Sequence, residues 1–250
     1  MRRKPRILVC NDDGQHGPGL RPLISALRRL GEVTAVVPAQ ERSADSHSLT
    51  LHKPLRVHLI GPRFFTLNGK PADCARLGLL ELMGGRADLV VSGINRGYNL
   101  GEDIVYSGTV AAAREATLLG LPALALSQDP ESLDYRPAAA FAARTARLIL
   151  SRGLPEGILL SANVPALSGS SKPPVAVTRL GRRLYSKEVT LRRDPRGGDY
   201  YWLAGSSVSS VFEPGTDVAA VSKGRISLTP LHIDVSDRPM IERLKSWPLG

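Results

Sequence analysis

Two adjacent carboxylates, Asp12 and Asp13, follow the apolar run 7–10 after a single Asn11 and precede Gly14. A short apolar run bounded by a turn signal is typical of a buried strand. The pair should therefore lie at the carboxyl end of a strand, where open α/β sheets bind ligands. In the turn that Gly14 permits, the two anions can converge, and they repel each other unless a cation or a proton joins them. The segment predicts either a divalent metal site or an ordinary strand-ending turn, since Asn, Asp and Gly all favour turns.

Oxygen-bearing side chains also occur in the loops after two later strand-like segments. Ser43 lies in one of these loops, and Asn95 and Asn99 lie in the other. If the loops meet Asp12 and Asp13 at one edge of the sheet, the carboxylate, hydroxyl and amide oxygens suit Mg²⁺, Mn²⁺ or Ca²⁺ rather than structural zinc. Taken singly, Ser43 or Asn95 is more often a turn residue than a ligand.

Ser107, Gly108 and Thr109 predict a helix start that could bind an anion. Ser107 or Thr109 could cap the helix, and Gly108 leaves the backbone open to close approach. Unpaired amides and the positive end of the helix dipole attract anions at such a start. A plain capped helix is the alternative, and the Walker pattern GxxxxGK[ST] is absent from the sequence. This helix start directly follows the loop that carries Asn95 and Asn99. Its position favours phosphate as the bound anion, because a metal ion held at that loop would neutralise the charge of a phosphate at the helix start.

The elements that must position these residues alternate between short strands and helical patterns in the first half of the chain. Such alternation predicts an α/β fold with three layers, in which helices cover both faces of a Rossmann-like, mainly parallel sheet. The predicted strands are 7–10, 33–37, 49–51, 55–60, 64–67, 88–93, 121–127 and 157–162, and the predicted helices are 19–30, 71–83, 109–119 and 136–151.

Beyond residue 165 the sequence changes character, because a linker rich in Ser, Gly and Pro spans 168–174 and turn-rich segments follow. We therefore predict a metal- and phosphate-binding core at 1–165 and an extension of hairpins at 166–250 that could wrap around a partner subunit. The extension should contain strands at 175–180, 200–203, 218–221 and 225–231 and a helix at 240–244.

The composition sets limits on the possible partners. The 250 residues carry a formal net charge of +10, which permits attraction to nucleic acid, an anionic membrane or a small anionic substrate. Basic residues are concentrated in 179–196, which predicts a solvated face, a surface that steers phosphate or an oligomer contact. Cys10 and Cys74 suit buried thiols in a reducing compartment. No apolar stretch approaches the ~18 residues of a membrane span, so we expect a cytoplasmic protein that binds no membrane.

Several motifs together resemble the SurE family, the stationary-phase survival proteins. The likeness runs in order over nearly the whole chain. The matching segments are 11–14, 41–43 with 46–50, 68–74, 92–101, 106–110, 163–165, 194–197, 200–202 and 215–217. Departures from the family pattern are modest: Lys70 stands where a small or hydroxyl residue is common, and Gln15 and His16 lie in a variable stretch.

This resemblance implies a metal-dependent phosphatase that hydrolyses nucleoside 5′- or 3′-monophosphates and in some members short polyphosphate. It also implies a homodimer or homotetramer whose C-terminal segments exchange between subunits. One hard divalent cation per subunit, such as Mg²⁺ or Mn²⁺, would be held by Asp12, Asp13, Ser43 and Asn95, and phosphate by Asn99, Ser107, Gly108 and Thr109.

The expected mechanism is hydrolysis by a metal-activated water, with Asp12 and Asp13 as the catalytic carboxylates and one of them helping to accept the proton of the water. Covalent attack by Asp12 is the rival, although the DxDxT spacing of enzymes that form an aspartyl phosphate is absent. His47 could protonate the leaving alkoxide, or it could be a solvated loop histidine.

Two other classes of protein fit the sequence less well. A basic nucleic-acid-binding protein without catalysis would interleave aromatic residues with the basic cluster, yet Tyr185 is the sole aromatic residue in 179–196. We therefore expect no nucleic acid as the primary partner. A dinucleotide-dependent enzyme would need GxGxxG after the first strand, where this chain carries Asp12 and Asp13 instead.

Overall fold

The computed structural model describes residues 3–166, 173–203 and 208–248. The strands in these ranges are β1 (Arg6–Cys10), β2 (Glu32–Pro38), β3 (Val57–Gly61), β4 (Phe64–Leu67), β5 (Leu89–Arg96), β6 (Ala123–Gln128), β7 (Ile158–Val164), β8 (Val175–Val177), β9 (Arg182–Tyr185), β10 (Thr190–Arg193), β11 (Asp199–Trp202), β12 (Val208–Val211) and β13 (Ile226–His232). The α-helices are α1 (Leu20–Leu27), α2 (Pro71–Leu77), α3 (Gly108–Leu118), α4 (Arg136–Arg152), α5 (Asp217–Ser222) and α6 (Arg238–Leu244). A π-helical segment, Gly78–Leu82, continues α2, and a 3₁₀ helix, Gly101–Val105, precedes α3.

A nine-stranded sheet in the order β3-β4-β2-β1-β5-β6-β7-β13-β8 forms the centre of the molecule. The six strands from β4 to β7 in this order run parallel to their neighbours, whereas β3 and β13 are antiparallel to β4 and β7. Most residues of the strands near the middle are buried because both faces of a parallel sheet are covered by helices. The α/β fold class predicted from the sequence is confirmed.

The two faces of the sheet bury separate hydrophobic cores. Successive residues of β1 alternate between them, as strand geometry requires: Ile7 and Val9 pack in the core beneath α1 and α4. Leu8 and Cys10 pack in the other core, beneath α2 and α3. Helix, sheet and helix thus form the three predicted layers.

Two predicted strands are wrong. Residues 218–221 belong to α5, where the Thr216 hydroxyl caps the helix by accepting a hydrogen bond from the Ala219 amide (3.2 Å). Short apolar runs have too little periodicity to distinguish a strand from a helix. Residues 49–51 form no strand, because the Thr50 amide and hydroxyl both donate to Asp73 (2.9 and 2.6 Å) at the start of α2.

The segments after residue 166 contribute both to the central sheet and to separate hairpins. Strand β13 pairs with β7, and β8 pairs with β13. Two small antiparallel sheets, β10-β11 and β9-β12, lie outside the central sheet. They confirm the prediction of hairpin strands in the C-terminal part. The boundary at residue 165 stays a prediction, and positions 168–172 of the predicted linker lie outside the described residues. None of the helices in the described ranges has the length and apolar character needed to cross a membrane.

Candidate active site

A cavity of about 370 Å³ opens at the carboxyl ends of β1 and β5. The chain order of the strands reverses between β1 and β5, and ligands of open α/β sheets bind at such a switch point. The lining brings together five of the residues predicted for the site: Asp12, Ser43, Asn95, Asn99 and Ser107. The other lining residues are Ala44, Arg96, Tyr98, Asp103, Tyr106, Pro130, Arg183 and Tyr185.

Asp12 lies buried against the start of α3. Its Oδ2 accepts a hydrogen bond from the Thr109 amide (3.1 Å), and its Oδ1 accepts another from the Thr109 hydroxyl. A Cβ at position 108 would come within 2.9 Å of the Asp12 Cβ, so this approach requires Gly108. Burial raises the pKa of Asp12. The helix start predicted to bind anions therefore holds a carboxylate of the chain itself.

Asp13 carries a buried oxygen, Oδ2, with no hydrogen-bond partner among the described residues. Burial and the negative charge of Asp12 raise the pKa of Asp13 to about 7. A buried carboxylate oxygen without a donor beside a second carboxylate is the chemistry of a cation site. Within the described ranges no group of three His, Cys, Asp or Glu side chains could hold a metal ion. The metal ligands predicted from the sequence are of another kind, because they combine the carboxylates of Asp12 and Asp13 with the hydroxyl of Ser43 and the side-chain amide of Asn95.

A bulge in β5 positions Asn95. The pairing of β5 with β6 shifts register between Ser92 and Asn95. Gly93 lies there at a φ of +136°, and a Cβ on it would come 2.3 Å from the Leu126 carbonyl oxygen, so only glycine fits. Bulges often redirect side chains beside active sites. The Asn95 side chain donates to the Gly97 carbonyl (2.9 Å) and lines the cavity.

The loop that carries Ser43 is fastened to both sides of the cavity. The Arg42 amide donates to the Asp12 carbonyl oxygen (2.8 Å). Four residues later, Ser46 donates to the Tyr106 and Val105 carbonyls through its amide (3.0 Å) and hydroxyl (2.7 Å). The Ser43 hydroxyl donates to Glu41 (2.7 Å), so the serine oxygen retains lone pairs for a cation.

His47 contacts Glu115 and is not among the residues lining the cavity. Its Nε2 lies 2.8 Å from one oxygen of this buried carboxylate, and Arg76 donates to the other oxygen. Burial raises the pKa of Glu115, but hydrogen bonds from His47 and Arg76 outweigh burial and lower it. The acid–base role of His47 stays a prediction.

Asn99 and Ser107 are held by neighbouring polar groups. The Asn99 amide side chain donates to the Ser127 hydroxyl (2.7 Å), while its backbone exchanges two hydrogen bonds with the Asn163 side chain (2.8 and 3.1 Å). The Ser107 hydroxyl accepts from the Val110 amide (3.1 Å) and is the cap of α3. Both positions are fixed before any ligand binds.

Asp103, Arg183 and Tyr185 are among the residues of the cavity wall that sequence reasoning missed. Asp103 in the 3₁₀ helix accepts a hydrogen bond from the Tyr185 hydroxyl and pairs with Arg183 at 3.1 Å. Burial and this hydrogen bond raise the pKa of Tyr185 to about 12. Arg183 and Tyr185 fall in the basic cluster 179–196. This cluster was the sequence signal that could have identified them as site residues. Their contacts with Asp103 span 80 and 82 positions and could not be inferred from spacing.

The fold and cavity define an α/β protein with a polar cavity at the switch point of a mainly parallel sheet. The chain belongs to the SurE family, because the family model described as Survival protein SurE matches residues 7–187. The resemblance noted from the motifs is therefore confirmed.

Relatives with high similarity cover nearly the whole chain. Proteins named 5′-nucleotidase SurE from Geobacter sulfurreducens and Geobacter metallireducens are 49% and 48% identical, and the alignments cover 98% and 97% of this chain and 94% and 97% of theirs. The crystal structure of the SurE protein from Aquifex aeolicus is 38% identical and covers 96% of this chain and 98% of its own, with a TM-score of 0.85.

Proposed function

We propose that the protein is a metal-dependent phosphomonoesterase that hydrolyses nucleoside 5′-monophosphates to nucleoside and phosphate. The observation that carries the proposal is the adjacent carboxylates Asp12 and Asp13. Asp12 is buried against the start of α3, and Asp13 is half-buried, with one buried oxygen that lacks any donor among the described residues. The relatives named 5′-nucleotidase support the class of substrate. Activity on 3′-monophosphates and on short polyphosphate belongs to the same proposal.

The proposed roles divide the residues between cation and phosphate. Asp12, Asp13, Ser43 and Asn95 would hold one Mg²⁺ or Mn²⁺ per subunit. When bound, the ion would supply a water of lowered pKa and offset the charge of the phosphoryl oxygens.

Asn99, Ser107, Gly108 and Thr109 would hold the phosphate. The Thr109 hydroxyl and amide donate to Asp12, so a phosphate would share those donors with this carboxylate. One aspartate would accept the proton of the attacking water. The role of His47 as general acid has less support, because its Nε2 is bound to Glu115.

We further propose a homodimer or homotetramer in the cytoplasm. The family resemblance implies the assembly, and the exposed aromatic surface of the β10-β11 hairpin supports it. The two free, buried cysteines are compatible with a reducing compartment.

Phosphate release from AMP, GMP and 3′-AMP, measured with Mn²⁺ or Mg²⁺ and in parallel with EDTA, tests the proposal. Activity should disappear with EDTA and return with metal. Asp13→Asn should lower it at least about 100-fold without a change in the circular dichroism spectrum. The matched control is Asp199→Asn, at an exposed position outside the cavity. Turnover that survives EDTA, or an Asp13→Asn protein with normal activity, would contradict the proposed site.

A further inference from the structure

Part of the cavity wall comes from β9, in the extension beyond the predicted core. Arg183 and Tyr185 are two residues apart on this strand, so their side chains leave the same face. Both line the cavity that also contains Asp12. A segment predicted only as a basic cluster therefore contributes directly to the ligand site.

Asp103 holds both side chains of this wall. The Tyr185 hydroxyl donates to Asp103 Oδ1, and the guanidinium of Arg183 pairs with Oδ2 at 3.1 Å. The Arg183 amide also donates to Glu102 (2.6 Å). Because Asp103 is itself buried, the tyrosine ring is fixed at its hydroxyl end before a ligand arrives.

The fixed ring still has a free surface. Tyr185 is 50% exposed, and the guanidinium carbon of Arg183 lies 6.0 Å from the ring centroid. Tyr106, another residue of the wall, is 59% exposed. An aromatic ring with a fixed hydroxyl and an accessible surface suits stacking against a flat, uncharged group, and base–aromatic stacking is tolerant of base identity.

The two parts of the cavity differ in chemistry. Asp12, Asn99 and Ser107 form a polar part next to the start of α3, where phosphate would be held. The β9 part presents aromatic rings beside the ion pair of Asp103 and Arg183, whose opposite charges offset each other and leave little net charge to attract phosphate there. Because about 370 Å³ falls within the range of cavities that bind small organic ligands, the β9 part has room for the rest of the substrate.

We propose that Tyr185, held by Asp103 and accompanied by Arg183, stacks against the base of the nucleotide. The wall formed by β9 thereby sets the preference for nucleoside monophosphates over phosphomonoesters without an aromatic group. This inference rests on the proposed function and assigns its specificity to a residue of the extension.

Replacement of Tyr185 separates recognition of the base from the chemical step. Tyr185→Leu should raise the KM for AMP about tenfold, since stacking of one base contributes about 1–3 kcal/mol and 1.4 kcal/mol corresponds to a factor of ten. It should change kcat less than about twofold and leave the kcat/KM for β-glycerophosphate unchanged. Tyr185→Phe keeps the ring but loses the hydroxyl that donates to Asp103, so its KM for AMP should lie between those of the wild type and Tyr185→Leu. Trp247→Leu, at an exposed aromatic residue outside both the cavity and the β10-β11 hairpin, is the control.

Calorimetric titration with adenosine in EDTA tests the same wall without catalysis. The wild type should bind adenosine, and Tyr185→Leu should bind it about tenfold more weakly. Equal adenosine affinity and equal KM in the wild type and Tyr185→Leu would overturn the inference, and so would a wild type that binds no adenosine. Tyr185-dependent adenosine binding by a wild type that hydrolyses no nucleotide would overturn the nucleotidase proposal and leave the stacking wall standing.

Discussion

Glu115 is the buried carboxylate that joins the Ser43 loop to the helices behind it. It lies on α3 and binds His47 from that loop and Arg76 from α2. The pKa of Glu115 is lowered by these hydrogen bonds in spite of its burial. A carboxyl group with a lowered pKa stabilises the fold above its unfolded pKa of about 4.3, and this stability is lost as the pH falls through the folded pKa.

Glu115→Gln should lower the free energy of unfolding at pH 7 by about 1–3 kcal/mol, because the new NH₂ group leaves either His47 or Arg76 without its buried acceptor. The difference from the wild type should begin to shrink as the pH falls below the unfolded pKa of about 4.3 and should shrink further as the pH falls through the lowered folded pKa of Glu115. Urea unfolding at pH 7 and at pH 3.5 measures both values. Glu81→Gln, at an exposed position, is the control and should differ little from the wild type at either pH. A difference that stays constant with pH would contradict the assigned role of Glu115.

At the scale of single residues, the sequence identified groups that follow strands and missed groups that depend on distant contacts. Asp12 and Asn95 were found because parallel strands bring their carboxyl ends to one edge. Glu115 resembles any other polar residue of a helix, and its role becomes visible only through His47 and Arg76. Spacing along the chain contains no signal for contacts of this kind.

Helix α5 is an element that connects the extension to the site. Its first residue, Asp217, is buried and accepts hydrogen bonds from the Gly101 amide (2.9 Å) and the Gly181 amide (2.7 Å). Gly101 begins the 3₁₀ helix that carries Asp103, and Gly181 directly precedes β9. One carboxylate thus fixes the relative position of the two segments that form the aromatic part of the cavity.

Asp217→Asn should destabilise the protein by about 1–3 kcal/mol, because the new NH₂ group leaves one buried backbone donor without an acceptor. The KM for AMP should rise as Tyr185 loses its fixed position. Urea unfolding and steady-state kinetics are the measurements. Asp199→Asn is the control: Asp199 forms an exposed ion pair with Arg193, and such pairs contribute about 0–1 kcal/mol. Normal stability in Asp217→Asn would show that this connection is not needed.

The predicted elements were most accurate where periodicity was long or the strand was fully buried. Strand β1 and helices α1 and α4 lie close to their predicted bounds. The helix predicted for 71–83 becomes π-helical after Leu77. The strand predicted for 218–221 is a helix because the Thr216 cap, rather than the apolar pattern, determines its start. A short segment of this kind depends on contacts that become known only from the fold.

At the scale of the whole molecule, the β10-β11 hairpin leaves its apolar side chains uncovered in one subunit. Leu191 faces Tyr201 across the two strands, and these residues are 53% and 62% exposed. Trp202 at the end of β11 is 59% exposed. A two-stranded hairpin without cover is marginally stable, and a clustered apolar surface usually marks an interaction site. The proposed assembly would cover this hairpin with another subunit.

Replacing both Leu191 and Tyr201 with Glu should lower the mass of the assembly measured by size-exclusion chromatography with light scattering, because the charges would be buried at the interface. The melting curve of the central fold should keep its shape. Leu133→Glu, at a residue that is 90% exposed outside the hairpin, should leave the mass unchanged. A monomeric wild type, or an unchanged mass in the double variant, would contradict the assignment of the hairpin to the assembly.

The sheet order also has a consequence for synthesis on the ribosome. Strand β7 ends at Val164, whereas its antiparallel neighbour β13 begins at Ile226. Translation proceeds at about 5–20 residues per second, so the nascent chain spends several seconds with the outer edge of β7 unpaired. Unpaired edges are templates for aggregation. Chaperone contact during that interval would protect this edge until β13 emerges and closes it.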